Sequence, residues 1–213
     1  MFSGLARESN QARGVSLVEA LIASSLSLML LAALAYVFWA RQVHSERVNA
    51  RVELNEVALS ALGHLKREVG ESSLRCIDVS ESGSLIFPSP RTADSDFANL
   101  SGGLQFHKMV CYRVENSGDE DKLVRQEEMF PSPTPDPPEP IAMTPQRNRL
   151  YFETSGLPQR VIARGVTLFE SRLDSLKPDD PRGGRINIRL GLQRNVRHRS
   201  FGIEVQTSVA PRN

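Results

Sequence analysis

One carboxylate, Glu19, stands near the start of a long apolar run, Val15 to Ala40, in which the only other ionisable side chain is the Tyr36 phenol. An acid inside a membrane-length apolar segment costs several kcal/mol unless something neutralises it, and hydrocarbon offers nothing that can. The chemistry open to Glu19 is therefore ion pairing or hydrogen bonding, with another protein chain as the natural source of a cation. Ser16 and Glu19 also have the spacing of a helix capping box, in which the two side chains satisfy orphan amide groups at the start of a helix.

The remaining reactive residue types are scattered. His44, His64, His107 and His198 form no cluster, and no G-x-S-x-G, HExxH, phosphate-loop or CxxC pattern is present. The expectation is a protein that is not an enzyme and carries no cofactor or metal. Asp94 and Asp96, and Asp119 to Asp121, offer oxygen ligands to calcium without the spacing of an EF loop, and turns explain both. Arg182, Arg185, Arg189, Arg194, Arg197, His198 and Arg199 make a locally basic hairpin. It is either a contact for nucleic-acid phosphates or a solvated strand face. The two cysteines, Cys76 and Cys111, lie well after the apolar run. In an oxidising compartment a disulfide between them would constrain the unfolded chain by on the order of 3 to 4 kcal/mol; the alternative is two buried thiols.

These residues need positioning elements. About 21 apolar residues follow Glu19, enough for a helix across a core of roughly 30 Å. Arg7 and Arg13 before the run are matched by Arg41, Arg47 and Arg51 after it, so the basic flanks set no orientation. No proline interrupts residues 41–71. There Val48, Val52, Leu59, Leu62, Leu65 and Val69 project within an arc of about 140° at 100° per residue, with Glu46, Glu53, Glu56, His64, Arg67 and Glu71 opposite. An amphipathic helix follows, continuous with the apolar one for roughly 80 Å and ending near Gly70.

Beyond Ser72 the pattern changes to short β-rich runs between turn residues. Strands are expected at Leu74–Val79, Leu85–Phe87, Leu104–Val114, Leu123–Glu127, Leu150–Glu153, Arg160–Ala163, Val166–Leu173, Arg185–Gln193 and Ser200–Ser208. Asn116 to Asp121 reads as a hairpin turn, and residues 131–140, with six prolines in ten, as an exposed extended loop. The fold class is α+β: a long amino-terminal helix packed on an antiparallel sheet. The roughly 140 residues after the helix suit one globular domain. The formal charge of +1 over 213 residues gives no general basic field for nucleic acid.

Residues 1–14 carry Arg7, Arg13 and Glu8 and end in Gly14 directly before the apolar run. This arrangement resembles the leader of type IV prepilins. In that family prepilin peptidase cuts after the glycine and methylates the new amino terminus, and a glutamate stands at the fifth mature position. The resemblance implies cleavage between Gly14 and Val15, N-methylation of Val15, and an assembly or register role for Glu19; valine stands where the family usually has phenylalanine or methionine. Weaker similarities in Leu123–Glu127, Val161–Phe169 and Phe201–Ala210 resemble the larger minor pilins of the PilW type and the J-type pseudopilins of type II secretion.

The resemblance divides the chain into a leader (1–14), a transmembrane and assembly helix (15–40), an amphipathic continuation (41–71) and a β-rich head (72–213). It implies a subunit in a bacterial inner membrane with its carboxyl-terminal head in the periplasm, extracted later to a filament tip. The implied partners are other minor and major pilins or pseudopilins, prepilin peptidase and the inner-membrane assembly platform. Pilus and secretion pseudopilus stay open as alternatives, with Ala40-Arg41-Gln42 resembling pilus subunits. A third possibility is a signal-anchored protein, or a secreted one cut after Ala33-Leu34-Ala35 to begin at Tyr36.

Overall fold

The computed structural model describes residues 16–79, 83–92, 105–118, 120–134, 148–174, 184–196 and 199–211. Helix α1 runs Leu17–Glu71 without a break, passing through Gly63 and ending one residue after Gly70. The chain divides into two compact units, 1–46 and 47–213. In the first, every described residue from Ser16 to Ala40 is exposed, as the apolar composition of a lipid-facing helix allows.

The second unit is built on the rest of α1 and two antiparallel sheets. Strands β1 (Ser84–Ser89), β2 (Phe106–Glu115), β3 (Lys122–Thr134) and β4 (Gln159–Arg164) form a four-stranded sheet in chain order. Strands β5 (Val166–Asp174), β6 (Arg185–Val196) and β7 (Arg199–Val209) form a three-stranded one. The period-2 pattern decides which face is covered. In β6, Ile186, Ile188, Leu190 and Leu192 are buried while Arg185 and Gln193 are exposed. Together with Leu85, Phe87, Val110 and Leu123 of the larger sheet they join Leu54, Leu62, Leu65 and Val69 of α1 in one core. The opposite face of the larger sheet carries Ile86, Met109 and Cys111, covered by Phe152 of a short helix, α2 (Arg149–Thr154).

The two sheets meet at Gly165, which joins β4 to β5 with φ of 70°. Its carbonyl accepts from the Gln193 amide at 2.7 Å, and the next amide, Val166, donates to the Asp121 carbonyl at 3.0 Å. A side chain at 165 would fall onto the Gln193 carbonyl oxygen, so both the backbone angle and the close approach require glycine.

The structure thus has the expected α+β architecture, and it corrects several details. The buried stripe of α1 is Ala50, Leu54, Ala58, Ala61, Leu62, Leu65, Glu68 and Val69, whereas Val48, Val52 and Leu59 are 45%, 50% and 58% exposed. Three of these eight are alanines, small residues that a projection of large apolar ones leaves out. Leu74–Cys76 is a 3-10 turn followed by a single bridge, Asp78 to Ile86, rather than a strand. Leu150–Glu153 lies inside α2, because the Asn148 side chain accepts from the Tyr151 amide and caps a helical turn there. Finally, β3 continues through Pro131 and Pro133 to Thr134. Beyond Gln126 it has no residue paired with β4, and the prolines fall in the register shift opposite Phe106 and Lys108, where a missing N–H is harmless. Residues 135–140 of the proline-rich stretch lie outside the described residues.

Candidate functional site

The amino-terminal end of α1 is held by the residues that suggested a capping box. The Ser16 amide donates to Glu19 Oε2 at 3.0 Å, the Val18 amide donates to Ser16 Oγ at 3.2 Å, and the Ala20 amide closes the first helical turn on the Ser16 carbonyl. The carboxylate also sits in the first turn, where the helix dipole favours negative charge. Capping engages one Glu19 oxygen, and the residue remains exposed. Gly14 and Val15 lie outside the described residues.

The helix that begins here is apolar on all sides up to Ala40, with a mean hydropathy of 2.2 in its most apolar stretch, none of it buried within the protein. Such a helix is compatible with a membrane anchor. Further along the same helix Val48, Val52 and Leu59 are exposed as single apolar residues.

A second concentration of polar chemistry lies where α1 crosses β2 and β3, and the sequence reading did not single it out. Glu68, on the core side of the helix, is 7% exposed. It accepts from the Tyr112 hydroxyl at 2.9 Å and from Arg125 Nε at 3.1 Å, with Arg125 Nη2 3.1 Å from its other oxygen. Arg125 Nη1 also donates to Glu127 at 2.9 Å, and Lys108 donates to the same carboxylate oxygen at 2.9 Å. Alternating charges, Glu68, Arg125, Glu127 and Lys108, thus form one chain of charge-assisted hydrogen bonds with Tyr112 at its end. Antiparallel register places it: Tyr112 is opposite Arg125 and Val110 opposite Glu127, so all of these side chains share the face toward α1.

Burial raises the Tyr112 phenol far above its usual range, and the neighbouring Glu68 carboxylate raises it further. For Glu127 burial pushes upward, but the hydrogen bonds from Lys108 and Arg125 outweigh it and hold the carboxyl below the usual range. The signs give stability a plateau. A phenol raised on folding contributes up to its unfolded value, about 10, and loses that contribution above it. A carboxyl lowered on folding contributes above its unfolded value, about 4.3, and loses it below. Thermal midpoints of the full chain in detergent are expected to fall on both sides, and Tyr112→Phe should flatten the alkaline limb while sparing the acid one.

The other residues considered from the sequence are dispersed. Cys76 and Cys111 are both buried, one in the 3-10 turn and one on β2. Arg189 is engaged with Glu170 and Glu204 on the outer face of the smaller sheet, and Arg194 with Glu53 of α1; Arg185 and Arg199 are exposed on β6 and β7. Arg182, Arg197 and His198, like Asp94, Asp96 and Asp119, lie outside the described residues. His44 and His64 are on α1 and His107 is on β2. Among the described residues no three His, Cys, Asp or Glu side chains are grouped as a metal site.

The fold defines an α+β protein whose long amino-terminal helix supplies both an exposed apolar stretch and one wall of a β-sheet core. No protein-family model matches the chain, and searches of curated proteins and of solved structures return no similar protein.

Proposed function

We propose that this chain is a minor pilin-like subunit, processed by prepilin peptidase after Gly14, which helps to initiate or cap a type IV pilus. The observation that supports this most is one uninterrupted helix with two different environments. Its first part, capped by Ser16 and Glu19, is exposed and apolar as far as Ala40, while Leu54, Leu62, Leu65 and Val69 of the same helix join the head's core. A plain anchor has no need of a helix that is also structural in the head. A subunit pulled from a membrane into a filament does, because the head then moves with the segment being extracted.

In this reading the apolar part first lies in the inner membrane with the head in the periplasm, and later packs among the helices of pilin neighbours. Glu19 then meets the positive amino terminus of an adjacent subunit, an attraction that strengthens as the dielectric falls. A carboxylate out of register would be stranded in apolar surroundings, so the pair selects subunit alignment. The same leader, helix and extraction route would serve a pseudopilin at the periplasmic tip of a type II secretion pseudopilus, which is the alternative assembly.

The mass of the amino-terminal peptide of the mature protein, from membranes and from sheared surface material, tests the reading. The expected terminus is Val15 carrying one extra methyl. A terminus at Met1 or Tyr36 would instead identify an anchored or secreted protein and remove the assembly role. Recovery of the Val15 form from sheared surface fibres, rather than from the periplasm alone, favours the pilus over the pseudopilus.

A further inference from the structure

The charged chain beneath α1 forms the floor of a recess of about 360 Å³, and its rim carries cations that the floor does not use. Lys108, Arg125, Glu68 and Glu127 compensate one another. Three further basic side chains line the opening: His64 and Arg67 from α1, and Arg160 from β4. Arg67 Nη2 lies 3.4 Å from His64 Nδ1, and among the described residues neither Arg67 nor Arg160 has a carboxylate partner. The recess is therefore lined by four lysine and arginine side chains against two carboxylates, with both uncompensated guanidinium groups exposed at its mouth.

The geometry points to a binding site for an oxyanion, a carboxylate or phosphate group held between Arg67 and Arg160, with His64 as a further donor. Three physical reasons converge. Guanidinium groups present planar pairs of donors that match carboxylate and phosphate oxygens. A concave site lets two uncompensated charges act on one occupant, whereas the same arginines far apart on a flat face would act singly and be more fully screened. The floor is already satisfied, so an incoming anion need not break the Glu68–Arg125 pair. The rim residues come from the helix and from the last strand of the larger sheet, so an occupant would bridge α1 and β4. This inference is independent of the assembly role, since it concerns the head alone.

Calorimetric titration of the full chain in neutral detergent, with inorganic pyrophosphate in one arm and a tetraglutamate peptide in the other, tests the site. Saturable binding is expected in at least one arm. Binding of pyrophosphate alone assigns a phosphate-type ligand, and binding of the peptide alone assigns carboxylates such as those of an acidic protein segment. Arg67→Gln combined with Arg160→Gln should weaken the binding by about tenfold or more, as expected for losing charge-assisted hydrogen bonds. Arg185→Gln combined with Arg199→Gln, on exposed arginines that do not line the recess, should leave it unchanged. Both rim arginines are exposed, so the variant is expected to melt at the wild-type temperature. No saturable heat in either arm, or equal loss in the two double variants, would overturn the site.

Discussion

Glu68→Ala is expected to destabilise the head by about 3 to 5 kcal/mol, the cost typical of removing one partner from a buried ion pair. The loss has two parts. Arg125, whose side chain is only 15% exposed, keeps its charge and loses two contacts, and the largely buried Tyr112 hydroxyl loses its acceptor. Urea unfolding of the full chain in detergent, followed by amide hydrogen exchange in β2 and β3, measures it. The companion variant, Glu68→Leu with Arg125→Met, should cost less than the sum of its single changes, because apolar groups of similar volume remove both charges together. A change below about 1 kcal/mol for Glu68→Ala, the scale of a surface pair, would show that water already satisfies the network.

The other large effect concerns assembly. Glu19→Ala, as the sole copy, is expected to insert into the membrane normally and to fail in filament incorporation or priming. The capping loss is modest, about 1 kcal/mol at a helix terminus, and the apolar run that drives insertion is untouched. The two roles of Glu19 separate in Glu19→Gln, which retains an oxygen to accept from the Ser16 amide but lacks the charge for an intersubunit pair. If the glutamine variant assembles as wild type, Glu19 is a cap and the register argument falls; if it fails like alanine, charge is the property used. Fibre counts and secretion assays beside a membrane-fraction blot make this measurement.

Much of the fold was legible because its elements carry strong periodic signals. The helix from Leu17 to Glu71, the alternation of β6, and the hairpin between β2 and β3 need only local sequence. The failures share a cause: competition between local preference and tertiary fit. Ala58 and Ala61 are at most 1% exposed, whereas the larger Leu59 between them faces out. The packed face there is filled by small side chains, and a ranking by hydrophobicity gives them little weight. Leu150 to Glu153 has strand-like composition and is turned into a helix by a cap at Asn148. The acid and its cap at the start of α1 were readable from spacing alone. The recess was not, since Glu68, Tyr112 and Arg125 are brought together across separations of 44 and 57 residues. One signal did exist: Glu68 sits beside Val69 and three residues after Leu65 on the buried side, and a carboxylate in that position requires partners.

The shared helix also dictates where the chain can be divided. A soluble fragment starting at Ser72 would discard Leu54, Leu62, Leu65 and Val69 and leave the inner faces of both sheets as one large apolar surface, a recipe for aggregation. Starting at Arg47 instead keeps every buried residue of α1, from Ala50 to Val69, and removes the wholly exposed stretch that ends at Ala40. The junction between the exposed apolar stretch and the head thus falls inside a continuous helix, a place where no loop, proline or glycine marks a boundary.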